Sequence, residues 1–98
     1  MSPDDGSGAA RPAVFTLLSR AYCHLCDEME AALAPLLGPA RLVVIDVDAP
    51  EHAALERQYG DAVPILFHGA PSPAAELCRH RLDLPRVREA LAAGPEIR

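Results

Sequence analysis

The sequence predicts a small α/β domain of order βαβ-α-ββα, in which a mixed four-stranded sheet packs with three helices. Three observations favour this class. Short apolar runs alternate with stretches whose apolar residues recur at helical spacing. Gly and Pro separate these segments. The chain has 98 residues, of which 50% are hydrophobic, so it has enough apolar side chains for one core.

A βαβ unit begins the predicted domain. Residues 14–19 and 42–47 are near-continuous apolar runs, which favours strands, the first of them buried. Residues 24–37 between them have apolar side chains on one helical face, followed by Gly38 and Pro39 as a stop signal. A helix between two strands is typical of a right-handed parallel crossover.

A second helix and a hairpin follow. Asp48 is the predicted cap of that helix, with Glu51 in capping-box position and Gly60 at its end. Residues 63–68 and 75–81 are the next strand candidates. The connection between them is short, so we expect an antiparallel pair.

A third helix completes the predicted domain. Asp83 is its expected N-cap, Pro85 lies in its first turn and Gly94 closes it. The resulting order is that of a minimal thioredoxin-like fold. We expect residues 1–12 to form a disordered tail and residues 13–98 to form the domain.

Composition excludes several classes of function. The net charge of −5 argues against nucleic acid or an anionic membrane as a partner. No apolar run approaches the ~18 residues that span a bilayer, and no leader pattern is present, so we expect a cytoplasmic protein. We also expect it to be a monomer. Three cysteines do not make a secreted disulfide framework. All 9 basic residues are Arg, which excludes lysine Schiff-base chemistry.

Cys23 and Cys26 carry the strongest chemical signal. They stand where the first apolar run gives way to a helix, with Cys23 at the N-cap of that helix or just before it. Their spacing allows a small disulfide ring. The positive end of a helix stabilises a thiolate on the first sulfur. Such a pair is typical of thiol–disulfide exchange, with Cys23 attacking and the more buried Cys26 resolving the mixed disulfide. Chance placement of two core cysteines and a metal site are the alternatives.

Four neighbours of the pair are candidate substrate-binding residues. His24 and Leu25 lie between the cysteines and would tune the redox potential. A protonated His24 would favour the thiolate; alternatively, His24 is a solvated residue in an exposed turn. Arg20 either lies near the sulfur and attracts an anionic substrate or is a solvated surface residue. Tyr22 either shields the site or packs against the domain. Asp27 and Glu28, early in the helix, disfavour a thiolate because their carboxylates are already negative.

Val63 and Pro64 form a second candidate site at the start of a strand. In a thioredoxin-like sheet this position faces the loop that carries the cysteines, and we expect a cis bond there. The Val63 backbone would then pair with a substrate strand. Cys78 is either a buried strand cysteine or a third redox thiol or ligand beside His80.

Together these residues resemble the glutaredoxins of the thioredoxin superfamily, and most of all a small bacterial glutaredoxin-like group with a Cys-His-Leu-Cys motif. The resemblance covers about residues 13–93. The matching segments are residues 15–20, 22–29, 45–48, 59–60 and 63–66.

The resemblance implies a role for each matching residue. Cys23 corresponds to the nucleophile and Cys26 to the resolving thiol. Arg20 corresponds to a basic residue near glutathione. Val63 and Pro64 correspond to the pair that holds the glutathione cysteine by backbone bonds.

One segment departs from the glutaredoxin pattern. Glutaredoxins have a Gly-Gly pair before the last helix, leading to an Asp that meets the amino end of glutathione. Asp83 is present here, but Arg79, His80 and Arg81 stand in place of the glycines. Long side chains in the groove would weaken glutathione as a co-substrate, and the arginines could bind another anionic partner.

The sequence therefore predicts a thiol–disulfide oxidoreductase that acts on a protein or small-molecule disulfide and is recycled by a thiol reductant, with no cofactor or metal. Two alternatives stay open. In one, the cysteines hold zinc or an iron–sulfur cluster in a non-enzymatic module, which would need a second chain because one pair supplies only two thiolates. In the other, the domain is an adaptor without turnover.

Overall fold

The computed structural model describes residues 14–94 and shows the predicted alternation of strands and helices. Residues 1–12, predicted to be a tail, lie outside the described residues. The strands are β1 (Phe15–Ser19), β2 (Leu42–Asp46), β3 (Ile65–His68) and β4 (Glu76–Arg79). The α-helices are α1 (His24–Leu37), α2 (Ala53–Tyr59) and α3 (Leu84–Ala93).

The four strands form one mixed sheet in the order β2-β1-β3-β4. β1 runs parallel to β2, with Phe15 opposite Leu42, which confirms the predicted crossover. β3 is antiparallel to both β1 and β4, so the predicted hairpin is also confirmed. The loop that leads into α1 and the loop that leads into β3 consequently lie side by side at one end of the two central strands.

The core lies on both faces of the two central strands. On one face, β1 and β3 side chains pack against α1 and α3; on the other, they pack near Tyr59 of α2. The first cluster includes Phe15, Leu17, Met29, Leu33, Leu37, Leu66, Leu77, Val87 and Ala90. The second includes Leu18, Val47, Tyr59, Ile65, Phe67 and Ala75. Successive side chains of β1 and β3 point to opposite faces of the sheet, and this alternation decides which helix each of them contacts.

β2 is more exposed than its sequence suggests. A continuous apolar run is typical of a strand that is buried on both faces. β2 is instead an edge strand that pairs with β1 alone, and Val43 and Val44 are 48% and 43% exposed. The run of valines therefore reflects strand propensity rather than full burial.

The predicted capping of the second helix is wrong. A 3₁₀ turn at Pro50–His52 comes first, and α2 begins only at Ala53 with no side-chain cap. The carboxylate of Asp48 pairs with Arg20 instead. The two hairpin strands are also shorter than predicted. β3 begins two residues later, and β4 begins one residue later and ends two residues earlier.

Across residues 14–94, none of the helices has both the length and the apolar character needed to cross a bilayer.

Candidate active site

The two cysteines of the motif are joined at the opening of α1. β1 ends at Ser19, and a short turn leads to Cys23, the residue before the helix. Cys23 and Cys26 form a disulfide across the first turn, with their Cα atoms 5.2 Å apart. The spacing of three residues brings both sulfurs to the same side of the helix end.

The sulfur of Cys23 is the N-cap of α1, as predicted. Cys23 has an extended backbone, and its Sγ accepts a hydrogen bond of 3.1 Å from the Cys26 N–H. Its carbonyl accepts the first helical bond, from the Asp27 N–H. The sulfur thus occupies the place that a Ser, Thr or Asp oxygen usually takes. In the reduced protein the same N–H group and the positive helix end would stabilise a thiolate.

The two cysteines differ in exposure. Cys26 is 0% exposed, whereas Cys23 is partly exposed at the protein surface. A substrate can therefore reach the sulfur of Cys23 but not that of Cys26. This is the arrangement that attack by one thiol and resolution by the other requires.

The side chains beside the cysteines point outward. Tyr22 is fully exposed and has a left-handed backbone with φ of 60°, so the alternative in which it packs against the domain is wrong. Leu25 is 42% exposed. His24 Nε2 lies 2.9 Å from Glu28 Oε2, one turn along α1. A protonated His24 would therefore have its charge partly balanced by Glu28.

Arg20 is held by two carboxylates. Its Nη2 lies 3.0 Å from Asp48 Oδ1 and 3.5 Å from Glu56 Oε2. Gly60 leaves room for this arrangement, because a Cβ there would stand 2.6 Å from Glu56 Oε2. The guanidinium thus ties the end of β1 to the chain after β2 and to α2. Asp48 and Glu56 were not predicted as partners of Arg20, since they are 28 and 36 residues away from it in the sequence.

Pro64 connects the start of β3 to the end of β4. The Val63–Pro64 peptide bond is cis, and Pro64 is buried. The Pro64 carbonyl accepts a hydrogen bond of 2.8 Å from the His80 N–H. The loop before β3 and the loop before α3 are therefore fastened to each other.

His80 occupies a left-handed conformation that favours glycine. Its φ is 68°, and the Arg81 N–H bonds the Arg79 carbonyl at 2.7 Å across it, which makes a γ-turn. This turn lies where the glutaredoxin pattern has glycines. The requirement for a positive φ is thus kept here by a residue with a large side chain.

A groove of about 460 Å³ runs between α1 and this turn. It starts beside the disulfide, at Leu25. Its lining includes Leu25, Glu28 and Met29 from α1 and His80, Arg81 and Leu82 from the loop before α3. We call this space the α1 groove. The long side chains that replace glycine line it without closing it.

Asp83 caps α3, as predicted. Its Oδ1 accepts a hydrogen bond of 3.2 Å from the Arg86 N–H. This contact orients the carboxylate toward the first turn of α3. Binding of a ligand amino group by Asp83 stays a prediction.

Cys78 is separate from the disulfide. It lies in β4 opposite Leu66 and is a free, half-buried thiol. Burial raises the pKa of Cys78, although a hydrogen bond from the Asp83 backbone opposes this effect. Within residues 14–94 no three His, Cys, Asp or Glu side chains are placed to hold a metal, so a metal at Cys23 and Cys26 would need further ligands from elsewhere.

Comparison with known proteins places this geometry in context. Residues 14–92 match the model of a family described as glutaredoxin-like domain (DUF836). None of the curated proteins compared matches the chain.

Several solved structures are similar to this chain. A Nitrosomonas europaea protein solved by NMR in solution is 38% identical over 83% of this chain and 93% of its own, with a TM-score of 0.64. An X. campestris protein solved by X-ray diffraction is 35% identical over 84% and 100%, with a TM-score of 0.59. Oxidized glutaredoxin 2 from Chlamydomonas reinhardtii is 17% identical over 83% and 73%, with a TM-score of 0.50, a likeness in fold alone.

Proposed function

The chain belongs to the glutaredoxin-like family, and from that premise we propose that it is a thiol–disulfide oxidoreductase that uses Cys23 and Cys26. One observation carries the proposal. The accessible sulfur of Cys23 is hydrogen-bonded to the N-terminus of α1, and the buried sulfur of Cys26 is its disulfide partner.

The reaction transfers two electrons to a substrate disulfide. The Cys23 thiolate attacks one substrate sulfur, and the other leaves as a thiolate that takes a proton from solvent. The Cys26 thiolate then attacks the Cys23 sulfur and releases the second substrate thiol. The protein is left with the Cys23–Cys26 disulfide, and a thiol reductant returns it to the dithiol.

The neighbouring residues have supporting roles in this proposal. Val63 and Pro64 dock the backbone of the substrate beside Cys23. Tyr22, His24 and Leu25 form the exposed surface around the disulfide. Asp83 contributes charge at the side of the site next to α3. Arg20, whose charge is balanced by Asp48 and Glu56, holds the end of β1 beside the substrate. We place the reaction in the cytoplasm and assign it to a monomer.

Parallel reduction assays test the function. The protein is given a small disulfide and a protein disulfide, with glutathione and its reductase in one series and the thioredoxin system in the other. We expect turnover in wild type, loss of turnover in Cys23→Ser, and unchanged turnover in the matched control Cys78→Ser. Absence of turnover with both systems, or equal turnover in Cys23→Ser, would overturn the proposal. Metal that copurifies in stoichiometric amount and blocks alkylation of Cys23 would favour the metal-binding alternative.

We expect glutathione to be the poorer reductant of the two. A glycine pair would let the backbone approach the tripeptide closely, whereas His80 and Arg81 carry long side chains. Loss of close hydrogen bonds in a desolvated groove costs about 1–3 kcal/mol, more than the 0–1 kcal/mol of an exposed charge contact. Changing His80 and Arg81 together to Gly should recover part of the glutathione-dependent rate. A wild-type rate equal to that of an ordinary glutaredoxin would contradict this expectation.

A further inference from the structure

The α1 groove points to the class of substrate, an inference that rests on the proposed function. We propose that the groove receives a segment of a protein substrate, with an apolar side chain next to the reacting cysteine and a carboxylate one residue further along. The apolar side chain lies on Leu25, Met29 and Leu82, and the carboxylate pairs with Arg81.

The apolar part of the groove begins at the disulfide itself. Leu25 stands between the two cysteines and is 42% exposed. Met29 lies one turn further along α1, and Leu82 faces them from the loop before α3. A side chain next to the substrate cysteine would cover these surfaces while its sulfur reacts with Cys23. The volume of about 460 Å³ lies within the range of about 300–1,000 Å³ that ligand pockets have.

Among the described residues that line the groove, the one arginine is Arg81. Arg79 binds both oxygens of Glu76, at 2.6 and 2.8 Å. Glu28, which also lines the groove, contacts His24 and not Arg81. Among residues 14–94, no carboxylate pairs with Arg81, which is exposed. Arg81 thus lines the groove as a cation with no carboxylate partner among these residues, and a carboxylate on the occupant complements it.

The wall that carries Arg81 is fixed in place. The His80 N–H bonds the Pro64 carbonyl, and the γ-turn at His80 sets the direction of the chain into Arg81. His80 has a positive φ although it is not glycine, and such strained backbone conformations are often found at ligand sites. A wall held in this way loses little conformational freedom when a peptide binds.

A peptide fits this groove better than glutathione does. Glutathione offers carboxylates to Arg81, but it has no apolar side chain to cover Leu25 and Leu82. A protein segment supplies both groups. The apolar contact and the charge contact therefore favour a protein disulfide as the substrate.

Single-turnover kinetics with designed peptides test the assignment. The reduced protein, freed of reductant, is mixed with a peptide whose cysteine is a mixed disulfide with 2-thiopyridine. Cys23 forms a disulfide with the peptide sulfur and releases 2-thiopyridone, which is read by absorbance; Cys26 then frees the peptide thiol. The peptide Glu-Leu-Cys-Leu-Glu has the same flanks in both directions, so either orientation can bind. Gln-Leu-Cys-Leu-Gln removes its charges, and Glu-Ser-Cys-Ser-Glu removes its apolar side chains.

We expect the first peptide to react about fivefold faster than each of the other two, a factor that corresponds to about 1 kcal/mol. Arg81→Gln should abolish the preference for Glu over Gln, and Arg81→Glu should reverse it. Arg88→Glu makes the same charge change on α3, away from the groove, and should keep the preference. Cys23→Ser supplies the background rate.

Equal rates for the three peptides, or a preference that persists in Arg81→Glu, would overturn the groove assignment while leaving the oxidoreductase intact. Faster reduction of glutathione disulfide than of any peptide homodimer disulfide would do the same. No reaction with any disulfide would overturn the proposed function itself, and this inference with it.

Discussion

Cys23 and Cys78 are the same side chain in opposite environments. Cys23 precedes α1, is partly exposed, and accepts a hydrogen bond from the Cys26 N–H. Cys78 lies within β4 opposite Leu66, and burial raises its pKa. A helix N-terminus favours the charged form of a sulfur, whereas burial favours the neutral form. The secondary-structure element that carries a cysteine therefore decides its chemistry.

Cys78 also has two neighbours that favour a thiolate. The Asp83 backbone donates a hydrogen bond to it, and Arg86 contributes a positive charge. Burial is nevertheless the largest effect, and the charges of Asp83 and Glu76 add to it. One hydrogen bond is thus insufficient to activate a cysteine when the sulfur is withdrawn from water.

Substitution of the two cysteines should give the largest difference. Cys23→Ser removes the nucleophile but keeps an oxygen that can cap α1. We expect it to lower the rate of disulfide reduction by about 10³-fold or more, since the reacting atom is lost. Cys78→Ser should change the rate by less than about twofold. Initial rates with a small disulfide measure both effects. An equal loss of rate in the two variants would contradict the different roles of Cys23 and Cys78.

Alkylation of the reduced protein as a function of pH should give the next largest difference. Only the thiolate reacts, so each cysteine's rate rises through its own pKa. Cys23 should reach half of its maximal rate well below the free-cysteine value of about 8.5, and Cys78 above it. At neutral pH, mass spectrometry of digested protein should therefore find Cys23 modified first. Superimposed pH profiles would contradict the difference in environment.

The capping role of the Cys23 sulfur should appear in stability. Cys23→Ala removes the acceptor of the Cys26 N–H, whereas Cys23→Ser replaces it. Under reducing conditions, where neither variant has a disulfide, we expect Cys23→Ala to be less stable than Cys23→Ser by about 1 kcal/mol. Urea unfolding measures the difference. Equal stability would mean that the sulfur does not act as the helix cap.

The smallest expected effect concerns Cys78 alone. The charge of Asp83 raises the pKa of Cys78, so Asp83→Asn should lower that pKa. Asn still caps α3, and the backbone hydrogen bond to the sulfur is kept. The alkylation profile of Cys78 should shift to lower pH, and that of Glu89→Gln, a charge change elsewhere on α3, should not. A shift to higher pH in Asp83→Asn would show that the backbone bond was lost.

Local signals in the sequence were sufficient for α1 and its cap. The spacing of the apolar residues and the stop at Gly38 placed the helix at His24–Leu37, as the structure has it. Cys23 as its N-cap and Asp83 as the cap of α3 were also predicted. Each of these features depends on residues within one or two turns of each other, so the pattern contains the necessary information.

Three features that depend on distant residues were not predicted. Asp48 looked like a helix cap by its local pattern, but Arg20 binds it from β1. Exposure of β2 depends on the strand order, which places it at an edge. The left-handed turn at His80 contains no glycine that would have predicted it. Its N–H is instead bound by the carbonyl of Pro64, which is distant in the sequence.

Equilibration of the protein in buffers of graded redox potential, followed by acid quenching and alkylation, tests whether Cys23 and Cys26 are a reversible redox pair. We expect a single reversible transition in which the thiols of Cys23 and Cys26 are lost together, while Cys78 can be alkylated at every potential. The transition should follow a two-electron couple, with a tenfold change in the ratio of forms for every ~30 mV. A disulfide that includes Cys78, or a pair that does not exchange with the buffer, would contradict the account.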